Sequence, residues 1–274
     1  MKDVYVITGA TGGMGLDIAK NLDKKGILLL ADLYEDNLIK LKKQLDTKGI
    51  KSEIMPCNIA DEKQIKALVA KAASLGNFKA LIHTAGISGS MADAETIMRV
   101  NLIGTQLLMN NFYKIADNSV VINFSSMAGH MIPDMFFYNN ILLRPLSINF
   151  LSKIKKFHKN NPGHAYAFSK KGVIMISAKE ATKWGKKNSR IMSLSPGTFE
   201  TPMAALEEKT NKSMKIMLNK TPVKRAGNPR EITNLVKLLL DCEYINGVDI
   251  LIDGGITAAM RHDKRILQSV RDAS

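Results

Sequence analysis

The segment Val4-Tyr5-Val6-Ile7-Thr8 runs straight into Gly9-Ala10-Thr11-Gly12-Gly13-Met14-Gly15, and apolar residues at helical spacing, Leu16, Ile18, Ala19 and Leu22, begin at once. A short apolar run reads as a buried strand, and a strand that turns directly into a helix returns by a crossover to a parallel neighbour. Glycines in such a turn let the backbone pass close to a pyrophosphate, whose charge is met by free amides at the helix N-terminus. The alternative is a glycine-rich loop with no ligand; its place between a strand and an amphipathic helix favours the nucleotide.

The alternation continues. Ile27 to Ala31 is a strand ending in Asp32, Leu38 to Leu45 is helical, and Glu53 to Cys57 is a third strand. Asn58-Ile59-Ala60-Asp61 opens a helix through Val69, and Phe78 to His83 is a strand closing in Thr84-Ala85-Gly86. A helical stretch from Thr96 to Asn111 precedes the strand Val120 to Phe124, and further strands are expected at Arg190 to Ser195 and Val248 to Ile252. This rhythm predicts an α/β fold: a single-domain, Rossmann-type, doubly wound parallel sheet of about seven strands, with ligands at the strands' carboxyl ends. The domain is expected over 1–260, with an insertion at 131–163 before the helix that carries Tyr166, a mobile helix from Thr201 to Leu218, and a partly ordered basic tail at 261–274.

A 274-residue chain with 45% hydrophobic residues can bury one large core. Cys57 and Cys242 stand far apart, without a CxxC or Cys/His cluster, so neither a disulfide framework nor a metal is expected. The N-terminal residues carry no signal-peptide pattern and no apolar run is long enough to cross a bilayer, so a cytoplasmic location and no membrane span are expected. The net charge of +14 raises the question of a nucleic-acid partner. Its lysines, among them Lys40, Lys42, Lys63, Lys66, Lys186 and Lys187, are spread over many segments without interleaved aromatics. They read as a lysine-rich surface, and no nucleic acid is expected.

Tyr166 and Lys170 are four apart and share a helix face. A cation beside a phenol favours the phenolate and brings the hydroxyl toward general acid/base work near neutral pH. Alone, the pair is more often a solvated helix face. Asp32, at the end of the second strand, can accept both ribose hydroxyls of NAD and repel the extra phosphate of NADP, although an Asp there is also a common helix cap. Asn101, amid Val100, Leu102 and Ile103, needs a partner or a task. Ser125-Ser126 arrives at the same sheet edge, where a hydroxyl can meet a substrate carbonyl or simply form a turn.

Together these residues resemble the short-chain dehydrogenase/reductase family along nearly the whole chain. The resemblance rests on the TGxxxGxG turn (Thr8, Gly9, Gly13, Gly15), Asp32, Asn58, Ala85-Gly86, Asn101, Ser126, Tyr166 and Lys170, Pro196-Gly197 and Asp253-Gly254-Gly255. It implies that Tyr166 passes a proton to or from the substrate oxygen and that Ser126 holds that oxygen. Lys170 would lower the Tyr166 pKa and bind the nicotinamide ribose, and Asn101 would anchor a relay water. Hydride would move directly between substrate carbon and nicotinamide, with no metal. The cofactor contacts it implies run from Gly9, Thr11, Gly13, Met14 and Gly15 through Asp32 and Leu33, then Asn58, Ile59, Ala85 and Gly86. They end on Pro196, Gly197, Phe199 and Thr201, with Phe199 backbone and Thr201 hydroxyl on the carboxamide.

Asn58 stands where the family usually has Asp, and His83-Thr84 where it has Asn-Asn. His83 reads as structural, since Tyr166 already fills the base role. The long segment between Ser126 and Tyr166, with the ending around Asp253 to Arg261, is similar to the bacterial 3α-hydroxysteroid dehydrogenase/carbonyl reductase branch. There an insertion covers the face most relatives use for tetramers, which implies a homodimer, with a tetramer as the alternative. The expected activity is NAD-dependent interconversion of a secondary alcohol and a ketone, on a hydroxysteroid or comparable bulky apolar substrate. An insertion rich in Met and Phe can fold over a flat hydrocarbon as a lid, or serve as an interface or core extension. A 3-oxoacyl or general carbonyl reductase, and a non-catalytic NAD-sensing protein, are the alternatives.

Overall fold

In β1 (Asp3–Thr8) successive side chains alternate in destination: Val4 and Val6 join one buried apolar cluster, Tyr5 and Ile7 another. The same split at Leu28, Leu29, Leu30 and Ala31 in β2 (Ile27–Asp32) makes the sheet apolar on both faces, as a parallel sheet with helices on each side requires. The computed structural model describes residues 1–22, 25–205 and 212–271. The remaining strands are β3 (Ser52–Pro56), β4 (Asn77–His83), β5 (Val120–Phe124), β6 (Arg190–Pro196) and β7 (Asp249–Ile252). All seven pair in parallel in the order β3-β2-β1-β4-β5-β6-β7. The expected doubly wound α/β sheet of a single domain is therefore present. Its order reverses between β1 and β4, where an open α/β sheet has its ligand crevice.

One face is covered by α1 (Gly13–Asn21), α2 (Glu35–Asp46) and α11 (Pro229–Asp241). The other carries α3 (Glu62–Leu75), α4 (Ala94–Met98), α5 (Thr105–Phe112) and α9 (Pro162–Gly185). Their starts are locally encoded: Asp61 caps α3, Asn161 caps α9 ahead of Pro162, and Asn228 with Glu231 forms a capping box on α11.

The expected helix from Thr96 to Asn111 is not uniform. Arg99–Gly104, between α4 and α5, is π-helical, and the Thr105 hydroxyl bonds back to the Asn101 carbonyl at 2.6 Å. Helix α6 (Met127–His130) follows β5, and the insertion folds as α7 (Phe136–Leu142) and α8 (Phe150–His158). Tyr138, Leu142, Phe150 and Ile154 are buried in the same cluster as Val173 and Ile176 of α9. The two helices therefore extend the core over α4 and α9, with Phe137 stacked on Phe157 at 5.5 Å and Tyr138 edge-on to Phe168 at 5.2 Å.

Part of the expected Thr201–Leu218 helix, residues 206–211, lies outside the described residues; α10 (Lys212–Lys220) follows it. After α12 (Ile256–His262), the stretch expected as a basic tail is helical as α13 (Lys264–Arg271), and Val270 is buried beside Met260 and Ile256. Among the described residues no helix is long and apolar enough to cross a membrane.

Candidate active site

The glycine turn after β1 and the turn after β4 lie against each other because Thr8 pairs in register with His83. Gly9 has φ +69, and a Cβ there would sit 2.6 Å from the Ala85 amide nitrogen, so only glycine lets the two turns close. Thr84 fastens them by donating from Oγ1 to the Thr8 carbonyl at 2.8 Å. Helix α1 begins at Gly12 with no side-chain cap and no acidic residue in its first turn. Its free amides and dipole therefore suit an anion.

Asp32 faces this turn. Its Oδ2 accepts from the Thr11 amide at 2.8 Å and from Thr11 Oγ1 at 2.6 Å, and its Oδ1 accepts from the Leu33 amide at 2.7 Å. Asn58, at the end of β3, is exposed, and its Oδ1 accepts from the Ala60 amide at 2.9 Å. Ile59 behind it is buried. Glycine turn, carboxylate and an exposed edge at Asn58 form the shape and charge pattern that a dinucleotide's pyrophosphate, ribose and adenine require.

Lys170 is almost wholly buried, and one of its three donors goes to the Phe124 carbonyl at 2.9 Å. Removal from water pushes its pKa down from the ordinary 10.5 to about 8. Its Nζ lies 5.6 Å from the centre of the Tyr166 ring. A Cβ on Gly86 would come within 3.3 Å of Lys170 Nζ and 3.2 Å of Asn101 Oδ1, so the bare Gly86 backbone borders both groups. Asn101 is buried, with its side chain on Ile87 in both directions: Oδ1 accepts from the Ile87 amide and Nδ2 donates to its carbonyl, each at 2.9 Å. Nδ2 also reaches Ser169 Oγ at 3.2 Å.

Ser126 is the N-cap of α6, and its Oγ accepts from the Ala128 amide at 3.2 Å, leaving the hydroxyl hydrogen for another acceptor. Neighbouring Ser125 donates to the Lys170 carbonyl at 2.8 Å, tying β5 to α9. The far end of α6 is anchored by His130, whose Nε2 is 2.7 Å from Asp249 Oδ2; Ser193 and Ser195 donate to the other oxygen of Asp249.

From β6, Gly197 lies on Asp253, and the chain then crosses to the glycine turn, where a Cβ on Gly13 would meet Thr201 Cβ at 2.7 Å. Phe199 is buried with its ring on Gly227. A cavity of ≈ 420 Å³ opens beyond Thr201, lined by Phe199, Thr201, Pro202, Leu218 and Ala226, and its lining does not include Tyr166 or Ser126.

The expected residues thus share one edge of the sheet, from Asn58 through Asp32 and the glycine turn to Tyr166, Lys170 and Thr201. Sequence reasoning missed the brace made by Ser125 and Ser169, the hold of Asp249 on His130, and the partners of His83. The available signal was a run of polar residues at buried helix and strand positions, which is visible only once the burial is known. Among the described residues no cluster of metal-ligating side chains occurs.

Residues 3–138 match the family model described as short chain dehydrogenase, and residues 146–257 the model described as enoyl-(acyl carrier protein) reductase. The chain is 29% identical over 272 residues to the short-chain dehydrogenase/reductase bsc3 of Alternaria brassicicola, covering 96% of this chain and 98% of that one. It is 29% identical to the 3-oxoacyl-[acyl-carrier-protein] reductase FabG of Thermotoga maritima, with 92% and 97% covered. The crystal structure of levodione reductase superposes with a TM-score of 0.76 at 26% identity, covering 94% of this chain and 98% of that one. With the sheet order described above, these matches establish that the chain belongs to the short-chain dehydrogenase/reductase family, as an oxidoreductase acting on carbonyl or alcohol substrates.

Proposed function

We propose that the protein is an NAD(H)-dependent alcohol dehydrogenase/ketone reductase in which Tyr166 is the general acid and base. The observation that carries this reading is the buried Lys170 ammonium, held by Phe124 between Asn101, Gly86 and the Tyr166 ring. Burying a cation is costly, and a charge developing on the neighbouring phenol is what makes it useful. When bound, the nicotinamide dinucleotide supplies or accepts the hydride. Gly9, Thr11, Gly13, Met14 and Gly15 would hold its pyrophosphate at the start of α1. Asp32 and Leu33 would meet the adenosine ribose, Asn58, Ile59, Ala85 and Gly86 would border the adenine side, and Pro196, Gly197, Phe199 and Thr201 would orient the carboxamide. In ketone reduction Tyr166 Oη gives its proton to the substrate oxygen while Ser126 Oγ donates a hydrogen bond to it; in oxidation both roles reverse. Lys170 counters the charge on Tyr166, and Asn101 maintains the proton path behind it.

The substrate class we favour is a 3α-hydroxysteroid or its 3-oxosteroid, or a similarly bulky apolar carbonyl compound. Support comes from the apolar insertion, which leaves Met131, Met135, Phe136 and Phe137 exposed a few residues after Ser126. A general carbonyl or 3-oxoacyl reductase is the second reading, favoured by the similarity to FabG of Thermotoga maritima. Packing of α7 and α8 over α4 and α9 supports a homodimer through another surface, which light scattering tests. The deciding experiment follows NADH and NADPH absorbance with steroid, aromatic-ketone and acyl-thioester substrates. Turnover of steroids with NADH supports the reading; turnover confined to acyl thioesters with NADPH overturns it.

A further inference from the structure

His83 has no part in the roles above, yet it is only 2% exposed. Its Nδ1 lies 2.7 Å from Thr8 Oγ1 and its Nε2 2.9 Å from Thr105 Oγ1. Thr105 gives its hydroxyl hydrogen to the Asn101 carbonyl at 2.6 Å. A hydroxyl has one hydrogen, so Thr105 can only accept from His83. Nε2 therefore carries the ring proton, Nδ1 accepts, and Thr8 donates. Burial, with the nearby charge of Lys170, pushes the His83 pKa down from 6.5 to about 3, which keeps the ring neutral and the direction of the chain constant.

All four residues, Thr8, His83, Thr105 and Asn101, are buried, so each polar atom depends on its protein partners. The chain has two informative ends. Thr8 is the last residue of β1, directly before Gly9 of the cofactor turn. Asn101 lies in the π-helical turn, and its side chain clamps Ile87 next to Gly86 and Lys170. An apolar side chain at position 83 would fill the same space without the cost of burying two ring nitrogens.

We propose that His83 is a positioning residue: through Thr105 it fixes the Asn101 carbonyl, and so holds the Asn101–Ile87 clamp in register with the glycine turn that starts at Thr8. The kinetic arm of its test rests on the oxidoreductase reading; the spectroscopic arm does not. In the full chain labelled with ¹⁵N-histidine, His83 is expected as the neutral Nε2–H tautomer. Thr105→Val removes the hydroxyl with little change in shape. It is expected to move the Asn101 carbonyl ¹³C signal, to lower kcat about tenfold, a part of the ~10²–10⁴ that a placed acid/base group provides, and to shift the kcat pH profile while leaving the KM for NADH unchanged. His83→Gln, which keeps an N–H donor, should recover most of the kcat that His83→Leu loses, and Thr105→Val stands as the test if His83→Leu does not fold. An Nδ1–H tautomer, or a Thr105→Val protein with the parental Asn101 signal, overturns the proposal. So does one with parental kcat and pH profile and merely a lower Tm. A parent chain that reduces no carbonyl compound defeats the oxidoreductase reading instead, and the tautomer and the Asn101 signal still decide this one.

Discussion

Thr11 gives both its amide and its hydroxyl hydrogen to one oxygen of Asp32, at 2.8 and 2.6 Å, so the carboxylate that would select the cofactor also holds the glycine turn in shape. Two consequences follow from one residue. Asp32→Ala should remove the charge that repels a 2′-phosphate and loosen the turn. The preference for NADH over NADPH is expected to narrow by roughly tenfold, with weaker binding of both. Kd values for the two cofactors, measured by fluorescence titration, check this; an unchanged ratio removes Asp32 from cofactor choice.

Tyr166→Phe deletes the phenolic hydroxyl and leaves the ring that packs beside Lys170. Turnover should fall by ~10²–10⁴ while NADH affinity stays near the parent's. Stopped-flow turnover and equilibrium binding on the same sample separate the two. A variant that keeps its rate excludes Tyr166 as the general acid.

Lys170 has a folded-state pKa of about 8 against 10.5 unfolded, because burial disfavours its charge. The destabilisation is in full force below about 8 and is relieved as pH rises toward 10.5, since the unfolded chain then holds the extra proton. Lys170→Met should therefore raise stability at neutral pH by on the order of 2 kcal/mol, after allowing for the Phe124 carbonyl left unpaired, and abolish most turnover. In the parent, kcat/KM should decline as pH rises through about 8, where the free protein loses the ammonium. Urea titrations and pH–rate profiles are the measurements.

His83 has a signature of the same sign in a more acidic range. Its folded-state pKa of about 3 lies below the usual 6.5, so the unfolded chain takes up a proton first as pH falls. Stability should drop between 6.5 and about 3, at up to about 1.4 kcal/mol per pH unit from this group. His83→Gln should flatten that slope in acid denaturation, and an unaltered slope would mean that other groups dominate.

Gly9→Ala tests the junction of the two turns. Its φ of +69 and the 2.6 Å approach to the Ala85 nitrogen leave no room for a methyl group without moving backbone. A loss of about 2–4 kcal/mol is expected together with loss of dinucleotide binding. Calorimetry with and without NADH reports both.

The sequence by itself determined the sheet and which residues stand at the carboxyl ends of its strands. Runs such as Ile27 to Ala31 are apolar at every position, which only a strand covered on both faces tolerates, and the runs lead into the residues at one edge of the sheet: Gly9, Asp32, Ala85-Gly86, Ser126 and Pro196-Gly197. Local chemistry was enough there, because strand period, glycine turns and helix caps act over a few residues. Tertiary structure decided what those rules do not reach. At the π-helical turn, Thr105 joins the Asn101 carbonyl to His83 and Thr8, a contact made across β1 and β4. The anchoring of α6 depends on Asp249, more than a hundred residues from His130 in the chain. The insertion's apolar residues suited a lid, an interface or a core equally well on composition alone. Their packing on α4 and α9 was settled by which buried face offered partners for Tyr138, Leu142, Phe150 and Ile154. Hydrogen bonds and packing between segments distant in sequence leave no periodic trace, and so their outcome is read only from the folded chain.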